Sequence, residues 1–238
     1  MKSLKNWDNK TWLSSKNYIE SFNKFLIQNT KLNSRSEILD VGCGRGKILG
    51  DLSSKVKLKS KSIGIDIENH KDKDKRIKFK KLDVLTFFKK NKKKFDLILI
   101  KQTIHLLKMN EIIKLIKLCK KNLITNGTIA IFTLDPDVNE IPTFKLMHNK
   151  LQNSLNRDKK IIAMLKKDNK KTKIKKFIYK VEISKKKYLQ MIHDRYISTL
   201  LDFDLKQIKD GINEIDLRFK KKIRFKDKLQ CIIISKDV

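Results

Sequence analysis

The sequence contains few cysteines, prolines and glycines, and it has no long hydrophobic run. Its three cysteines, among 238 residues, are well separated and provide neither a disulfide framework nor a zinc-binding spacing. Two prolines and seven glycines exclude a collagen-like chain and a Pro/Gly-rich disordered one. No segment approaches the ~20 apolar residues of a membrane helix, and the N-terminus lacks the apolar stretch of a signal peptide. These absences predict a cytoplasmic protein with no metal and no membrane partner.

Arginine is also scarce, which affects how the positive charge is interpreted. Lysine and arginine together number 58 against 26 acidic residues, for a net charge of +32, yet only seven of them are arginine. Surfaces that bind phosphates favour arginine, because its planar guanidinium binds them bidentately. We therefore favour a compositional bias spread over solvated faces. A functional surface for a polyanion such as RNA stays open as the alternative.

Strand and helix patterns alternate through the first 135 residues. Apolar runs predict strands at 37–41, 63–67, 77–82, 95–100 and 128–132. Amphipathic spacing predicts helices over 17–30 and 109–122. Such alternation is typical of an α/β fold in which helices cover both faces of a parallel sheet.

The whole chain is interpreted as a single domain with four segments. Residues 1–34 form a predicted N-terminal helical lid, and residues 35–135 form the ligand-binding core. Residues 136–218 are rich in lysine and are predicted to be a cap that holds the substrate. Residues 219–238 are predicted to be a terminal β-hairpin that turns at the sequence KDK.

A glycine-rich turn follows the first predicted strand. It has the sequence DVGCGRG, from Asp40 through Gly42 and Gly44 to Gly46. Glycines permit positive φ angles and let a ligand lie against the backbone. The spacing differs from the G-x-G-x-x-G of dinucleotide-binding proteins, in which a pyrophosphate sits at the turn. A carboxylate before the first glycine would repel a pyrophosphate, but it suits a ligand with a cationic amino group.

Three acids follow three successive strands. Asp40 ends the first strand, Asp66 ends the second, and Asp83 follows the third. A carboxylate at Asp66 can accept hydrogen bonds from both hydroxyls of a ribose, and Asp83 can accept from the amine of an adenine. Because parallel strands end at one edge of the sheet, the three acids predict one ligand that carries both an adenosine and an amino acid.

Four sequence runs together resemble class I S-adenosylmethionine-dependent methyltransferases. They are ILDVGCGRGKIL, GIDIE, LDV and FDLILIKQTIHLL, beginning at residues 38, 64, 82 and 95. The flanking sequences resemble the small-molecule branch of that family, typified by trans-aconitate methyltransferase and similar to methyltransferase type 11. The resemblance implies a Rossmann-like, doubly wound, seven-stranded sheet with its last strand antiparallel and a helical cap inserted.

The resemblance also implies which residues bind the cofactor S-adenosylmethionine. Those assigned to the methionine part are the residues of the turn, namely Asp40, Gly42, Cys43, Gly44 and Gly46, with Cys43 as a small packed residue. Those assigned to the adenosine are Asp66 for the ribose, Ile67 for the adenine face, and Asp83 and Val84 for the adenine edge. Lys101 and Gln102 would line the pocket in which the methyl group is transferred.

Residues for catalysis and substrate binding follow from the chemistry of an activated methyl group. A carboxylate acceptor needs no base, whereas an amine or a hydroxyl needs one, and His105 matches a histidine of the family. Leu106 replaces the tryptophan that usually follows this histidine. Lys101 is a further catalytic candidate. The residues predicted to contact an anionic substrate or to belong to the lid are Trp12, Tyr18, His193 and Arg195.

Three functions remain compatible with the sequence. The favoured one is a monomeric methyltransferase that acts on a small, anionic molecule at an oxygen or a nitrogen, with a carboxylate favoured. The alternative is a methyltransferase that binds RNA through its lysines. Against it, residues 101–104 are Lys-Gln-Thr-Ile, whereas enzymes that methylate amino groups of nucleic acids carry a Pro-Pro-aromatic tetrad that stacks a flipped base. The third function is a non-catalytic partner that only binds the cofactor.

Overall fold

A seven-stranded sheet forms the centre of the molecule, in a computed structural model that describes residues 11–167 and 172–236. The strands are β1 Ile38–Val41, β2 Ile63–Asp66, β3 Lys78–Lys81, β4 Phe95–Lys101, β5 Leu123–Leu134, β6 Thr172–Ser184 and β7 Lys222–Ser235. Their order across the sheet is β3-β2-β1-β4-β5-β7-β6, and β7 is antiparallel to both of its neighbours. The predicted Rossmann-like sheet with its last strand antiparallel is therefore confirmed.

Seven helices within the described residues cover the sheet. They are α1 Lys16–Asn29, α2 Lys47–Val56, α3 Val84–Lys90, α4 Met109–Lys121, α5 Lys145–Lys167, α6 Lys185–His193 and α7 Leu205–Arg218. Several begin at side-chain caps, which satisfy backbone N–H groups that lack a partner within the helix. Ser15 caps α1 and Ser184 caps α6, while Asp204 and Gln207 form a capping box at the start of α7.

The hydrophobic core has two layers, because alternate residues of each strand face opposite sides of the sheet. Ile38 packs into one layer with residues of α1, α2, α6 and α7, and Leu39 packs into the other with residues of α3, α4 and the end of α5. Within the described part of the chain, no helix is long and apolar enough to cross a membrane.

The predicted terminal hairpin does not form. Residues 222–235 make one continuous strand, which pairs with β6 from Ser184↔Lys222 to Thr172↔Ile234. The KDK sequence resembles a turn, but Asp227 continues an alternation in which Phe225 and Leu229 face the core, and its own side chain is buried. Because this carboxylate occupies a core-facing position, it interrupts the hydrophobic alternation by which the strand would have been predicted.

Residues 136–218 contribute more than a cap. β6 is the edge strand of the main sheet, next to β7. The second half of α5 buries Ile161, Ile162 and Leu165 in the core. The segment is therefore integral to the domain, and the groups that can reach the sheet's carboxyl edge come from α5 and from the loop at 197–199.

Candidate active site

The glycine turn lies where β1, β2 and β4 end side by side. Gly42, Gly44 and Gly46 all have positive φ angles, of 73°, 54° and 72°. A Cβ atom on Gly42 would lie 2.1 Å from Oγ1 of Thr103, and one on Gly46 would lie 2.2 Å from Cδ1 of Ile77. A Cβ atom on Gly44 would meet nothing within 4 Å. Two of the glycines therefore make room for the protein itself, and the third borders open space.

Asp66 connects the end of β2 to this turn. Its carboxylate accepts hydrogen bonds from the backbone N–H of Gly44 at 2.8 Å and of Glu68 at 2.9 Å. Nε2 of His70 lies 3.5 Å from Oδ1, and His70 is buried, although its lysine-rich surroundings predict an exposed histidine. Burial opposes ionisation of Asp66, but the hydrogen bonds from His70, Glu68 and Gly44 outweigh it and lower the pKa. Asp66 is thus an ionised acceptor.

Beyond Asp66, the edge of the sheet presents an apolar side chain next to an exposed acid. Ile67 is 61% exposed, which is unusual for isoleucine. Asp83 is exposed and caps α3 by accepting from the N–H of Thr86 at 3.0 Å, and Val84 beside it is buried. A flat apolar ligand could cover Ile67 while its polar edge reaches Asp83.

Asp40 is a buried carboxylate at the base of the glycine turn. Its Oδ1 has no hydrogen-bond partner among the described residues. Burial raises its pKa to about 7, and the charge of Asp66 adds to the shift while that of Lys101 opposes it. A cation that binds next to Asp40 would stabilise the ionised form of this carboxylate. Burial and the same acids also raise the pKa of the Cys43 thiol, so that Cys43 stays protonated and is not a nucleophile.

A cavity opens past the end of β4. The residues that line it come from the segment after β4, from the end of β5, from α5 and from the 197–199 loop, and they are Gln102, His105, Leu134, Leu151, Ser154, Leu155, Asp158, Ile197, Ser198 and Thr199. Arg157 fixes one wall, because its guanidinium donates to the backbone oxygens of His105 and Leu107. Burial, and then the charge of Arg157, lower the pKa of His105 to about 4, so its imidazole is neutral near pH 7.

Asp158 is the residue of this cavity that sequence reasoning missed. Its side chain is buried, and Oδ1 has no hydrogen-bond partner in the described chain. Burial raises its pKa to about 6, against the opposing charge of Arg157. A signal was present in the sequence, because Asp158 occupies the apolar stripe of α5 that runs through Leu151, Leu155 and Ile162. An acid within such a stripe is a candidate functional group.

Three comparisons place this geometry among known proteins. A family model described as a methyltransferase domain matches residues 32–195. The chain belongs to this methyltransferase family. It is a class I enzyme that uses S-adenosylmethionine, as the sequence predicts. Membership of the trans-aconitate branch stays a prediction. The search of curated proteins found no match.

Solved structures share the fold of this methyltransferase at low sequence identity. The plantazolicin methyltransferase BpumL, in complex with a pentazolic desmethylPZN analogue and S-adenosylhomocysteine, is 16% identical with a TM-score of 0.54, over 98% of this chain and 89% of that one. A putative methyltransferase from an antibiotic biosynthesis pathway of Anabaena variabilis is 14% identical with a TM-score of 0.62, over 90% and 96%. A Haemonchus contortus phosphoethanolamine N-methyltransferase is 12% identical with a TM-score of 0.53, over 100% and 61%.

The N-terminal segment of the methyltransferase packs over the end of β4. Lys101 lies with its Nζ atom 5.4 Å from the centre of the Tyr18 ring and 5.5 Å from that of Phe22. Trp12 is buried and donates from Nε1 to Asp227 of β7 at 3.0 Å. Tyr18 is fully buried, and burial, followed by the charge of Asp227, raises its pKa. Trp12 and Tyr18 therefore anchor the N-terminal segment to the sheet.

Two residues predicted to contact the substrate do not line the cavity. His193 is exposed, pairs with Asp194 at 3.0 Å, and borders a different groove with Lys186 and Asp216. Arg195 donates from Nη2 to the backbone oxygen of Phe203 at 2.9 Å, and its own φ angle is +54°. Both residues were predicted because a cationic side chain could position an anionic substrate, but their side chains make other contacts.

Proposed function

We propose that this methyltransferase modifies a small molecule held in the cavity between β4, α5 and the 197–199 loop. The observation that supports it is the composition of the wall, in which neutral His105, buried Asp158 and three hydroxyl residues interrupt apolar side chains. A few convergent polar groups in an apolar cavity are typical of a small-molecule site. Nucleic-acid sites instead combine basic grooves with exposed aromatic side chains.

The cofactor residues predicted from the sequence fit this proposal. The unpartnered Oδ1 of Asp40 can accept from the amino group of the cofactor's methionine part, and the space beside Gly44 can hold its chain. Asp66 remains the acceptor for the ribose, with Ile67 and Asp83 beside the adenine. The cofactor supplies a methyl group that is already activated, so the chain has mainly to orient the acceptor for in-line attack.

The expectation of an anionic substrate has less support than the expectation of a small one. No lysine or arginine lines the cavity in the described residues, and its wall holds a carboxylate. Lys101 lies beside the rings of α1, and the guanidinium of Arg157 is engaged with backbone oxygens. Of the residues that the sequence analysis assigned to an anionic substrate, neither His193 nor Arg195 lines this cavity.

The test is transfer of labelled methyl from S-adenosylmethionine into a cell extract that is then separated into small-molecule, protein and RNA fractions. We expect the label in the small-molecule fraction. Label in RNA would overturn the proposal and make the lysine-rich surface functional. The matched control is Gly44→Ala, which leaves the cavity intact but fills the space assigned to the cofactor, and should therefore remove the label from every fraction.

A further inference from the structure

The cavity wall contains a carboxylate that the fold does not use. Asp158 is 5% exposed, and its Oδ1 accepts no hydrogen bond from the described residues. Leaving a buried carboxylate unpartnered costs several kcal/mol in typical cases, and replacement by an apolar residue usually relieves the cost. A group retained under such a penalty is a candidate for binding a ligand that supplies the missing partner.

The surroundings of Asp158 limit what that ligand can be. The other titratable group of the wall is His105, which is neutral and offers one N–H donor and one acceptor nitrogen. Arg157, on the same helix, points its guanidinium to the backbone of residues 105 and 107. The remaining polar groups are the amide of Gln102 and the hydroxyls of the loop and helix. A carboxylate or phosphate substrate would meet the like charge of Asp158, and no lysine or arginine among the described residues lines the wall to pair with it.

We propose that Asp158 binds the amino group of the substrate and takes a proton from it, so that the enzyme methylates an amine nitrogen. The inference rests on the proposed function, and it specifies the accepting atom. An amine enters as an ammonium ion and donates to Asp158. One proton passes to this carboxylate, which frees the lone pair on nitrogen. A nitrogen–carbon bond then forms as the carbon–sulfur bond of the donor breaks. The methylated ammonium leaves, and Asp158 returns its proton to solvent.

The acidities of the two candidate bases agree with this assignment. The sequence argument gives the role of base to His105. Burial has lowered the pKa of His105, which makes the imidazole a weaker proton acceptor than a free histidine. Burial has raised the pKa of Asp158 to about 6, which makes this carboxylate a stronger acceptor than a free aspartate. His105 then serves to orient the nitrogen, and Asp158 serves as the base.

The experiment follows the chemistry of the labelled product. Methyl-labelled S-adenosylmethionine is incubated with the full chain and a small-molecule extract, and the product is passed over a cation exchanger and then treated with base. Once unreacted S-adenosylmethionine, itself a cation, has been separated off, we expect a labelled product that is retained at acidic pH and survives base, as an N-methyl amine does. Label released as methanol shows a methyl ester, and base-stable label that is not retained shows an ether. Either of these overturns the amine inference while leaving the small-molecule proposal intact.

Variants test Asp158 itself. Asp158→Asn keeps the shape and should reduce kcat/KM on the retained fraction by ~100-fold or more, while S-adenosylhomocysteine binding in calorimetry stays unchanged. The acidic limb of the pH profile, expected near pH 6 in the native enzyme, should be lost. Asp210→Asn, at an exposed position on α7, is the matched control and should behave as the native enzyme. A folded Asp158→Asn enzyme with native kcat/KM would overturn the assignment.

Discussion

Asp66 holds the glycine turn through its carboxylate, and the same carboxylate is proposed to bind the ribose. Its carboxylate accepts a hydrogen bond from the N–H of Gly44, and the imidazole of His70 contacts its other oxygen. This arrangement orders the turn before the cofactor arrives. A structural and a binding role in the same side chain make it the most informative residue of the cofactor site.

Asp66→Ala is expected to reduce the affinity for S-adenosylhomocysteine by ~100-fold or more, since hydrogen bonds to a charged acceptor contribute ~1.5–3 kcal/mol each. The chain should remain folded, because the side chain lies at the sheet edge and outside both core layers. Calorimetry measures the affinity and circular dichroism the fold. Native affinity in a folded variant would contradict the ribose assignment, and Asp210→Ala provides the surface control.

Gly42 and Gly44 differ in what surrounds them, although both have positive φ angles. Gly42→Ala is expected to destabilise the protein more than Gly44→Ala does, because only the first places a Cβ atom against Thr103. Backbone strain alone costs ~1–2 kcal/mol at either position. Gly44→Ala should instead lose cofactor affinity. Thermal unfolding and calorimetry on both variants separate the two effects, and equal unfolding temperatures would refute the steric argument.

At the scale of elements, the N-terminal segment is attached to the sheet through a buried polar contact. Trp12 precedes α1, and Asp227 lies on the core face of β7, so their hydrogen bond joins the two ends of the chain. Burial raises the pKa of Asp227, while its hydrogen bond with Trp12 opposes the shift. The attachment therefore depends on one donor that an apolar ring could not replace.

Trp12→Phe is expected to lower the free energy of unfolding by ~1–3 kcal/mol, the usual cost of removing the partner of a buried polar group. Aromatic packing on Phe225 and Tyr196 would be largely kept. Denaturant titration gives the free energy. If the double variant Trp12→Phe with Asp227→Leu is no more stable than Trp12→Phe alone, the loss arises from packing and not from the unpaired carboxylate.

At the scale of the whole molecule, buried acids make stability depend on pH. The pKa of Asp158 is raised in the folded state, so its contribution to stability is complete below about pH 4 and is lost as the pH rises through about 6. Asp158→Asn removes this pH-dependent loss of stability, because asparagine does not ionise. The variant should match the native protein near pH 3 and exceed its free energy of unfolding by up to ~3 kcal/mol at neutral pH.

Denaturant titrations of both proteins at several pH values measure this difference. A gain in stability that does not grow with pH would mean that the pKa of Asp158 is the same in the folded and the unfolded protein. Gain in stability combined with loss of activity is expected where a buried group serves function at the expense of the fold.

Net charge is a property of the whole molecule, and the salt dependence that it causes distinguishes an RNA substrate from a small-molecule substrate. A protein that neutralises several phosphates loses affinity steeply as salt displaces it from a nucleic acid. The proposed cofactor and substrate contacts are few and largely buried. We expect S-adenosylhomocysteine affinity and methyl transfer to change less than ~3-fold between about 50 and 200 mM salt. A loss of 100-fold or more in transfer, measured with the extract fractions, would indicate an RNA substrate instead.

The sequence by itself determined the α/β fold and the cofactor edge, because both depend on local patterns. Strand, glycine turn and acid follow one another within a few residues, and hydrophobic alternation sets the faces of the strands. Asp40, Asp66 and Asp83 could therefore be assigned to one edge of the sheet before their positions were known. The core of the family resemblance lies in the same local runs, between residues 35 and 135.

Only the tertiary structure decided the cavity and the role of the second half of the chain. Asp158 and His105 are 53 residues apart in the sequence, and their meeting depends on how α5 crosses the end of β4. The continuous strand β7 could not be predicted from the sequence, because the partner of its buried Asp227 is the indole N–H of Trp12, far away in the sequence. Long-range partners cancel the cost of a buried polar group, and a local pattern cannot show a partner that is distant in sequence.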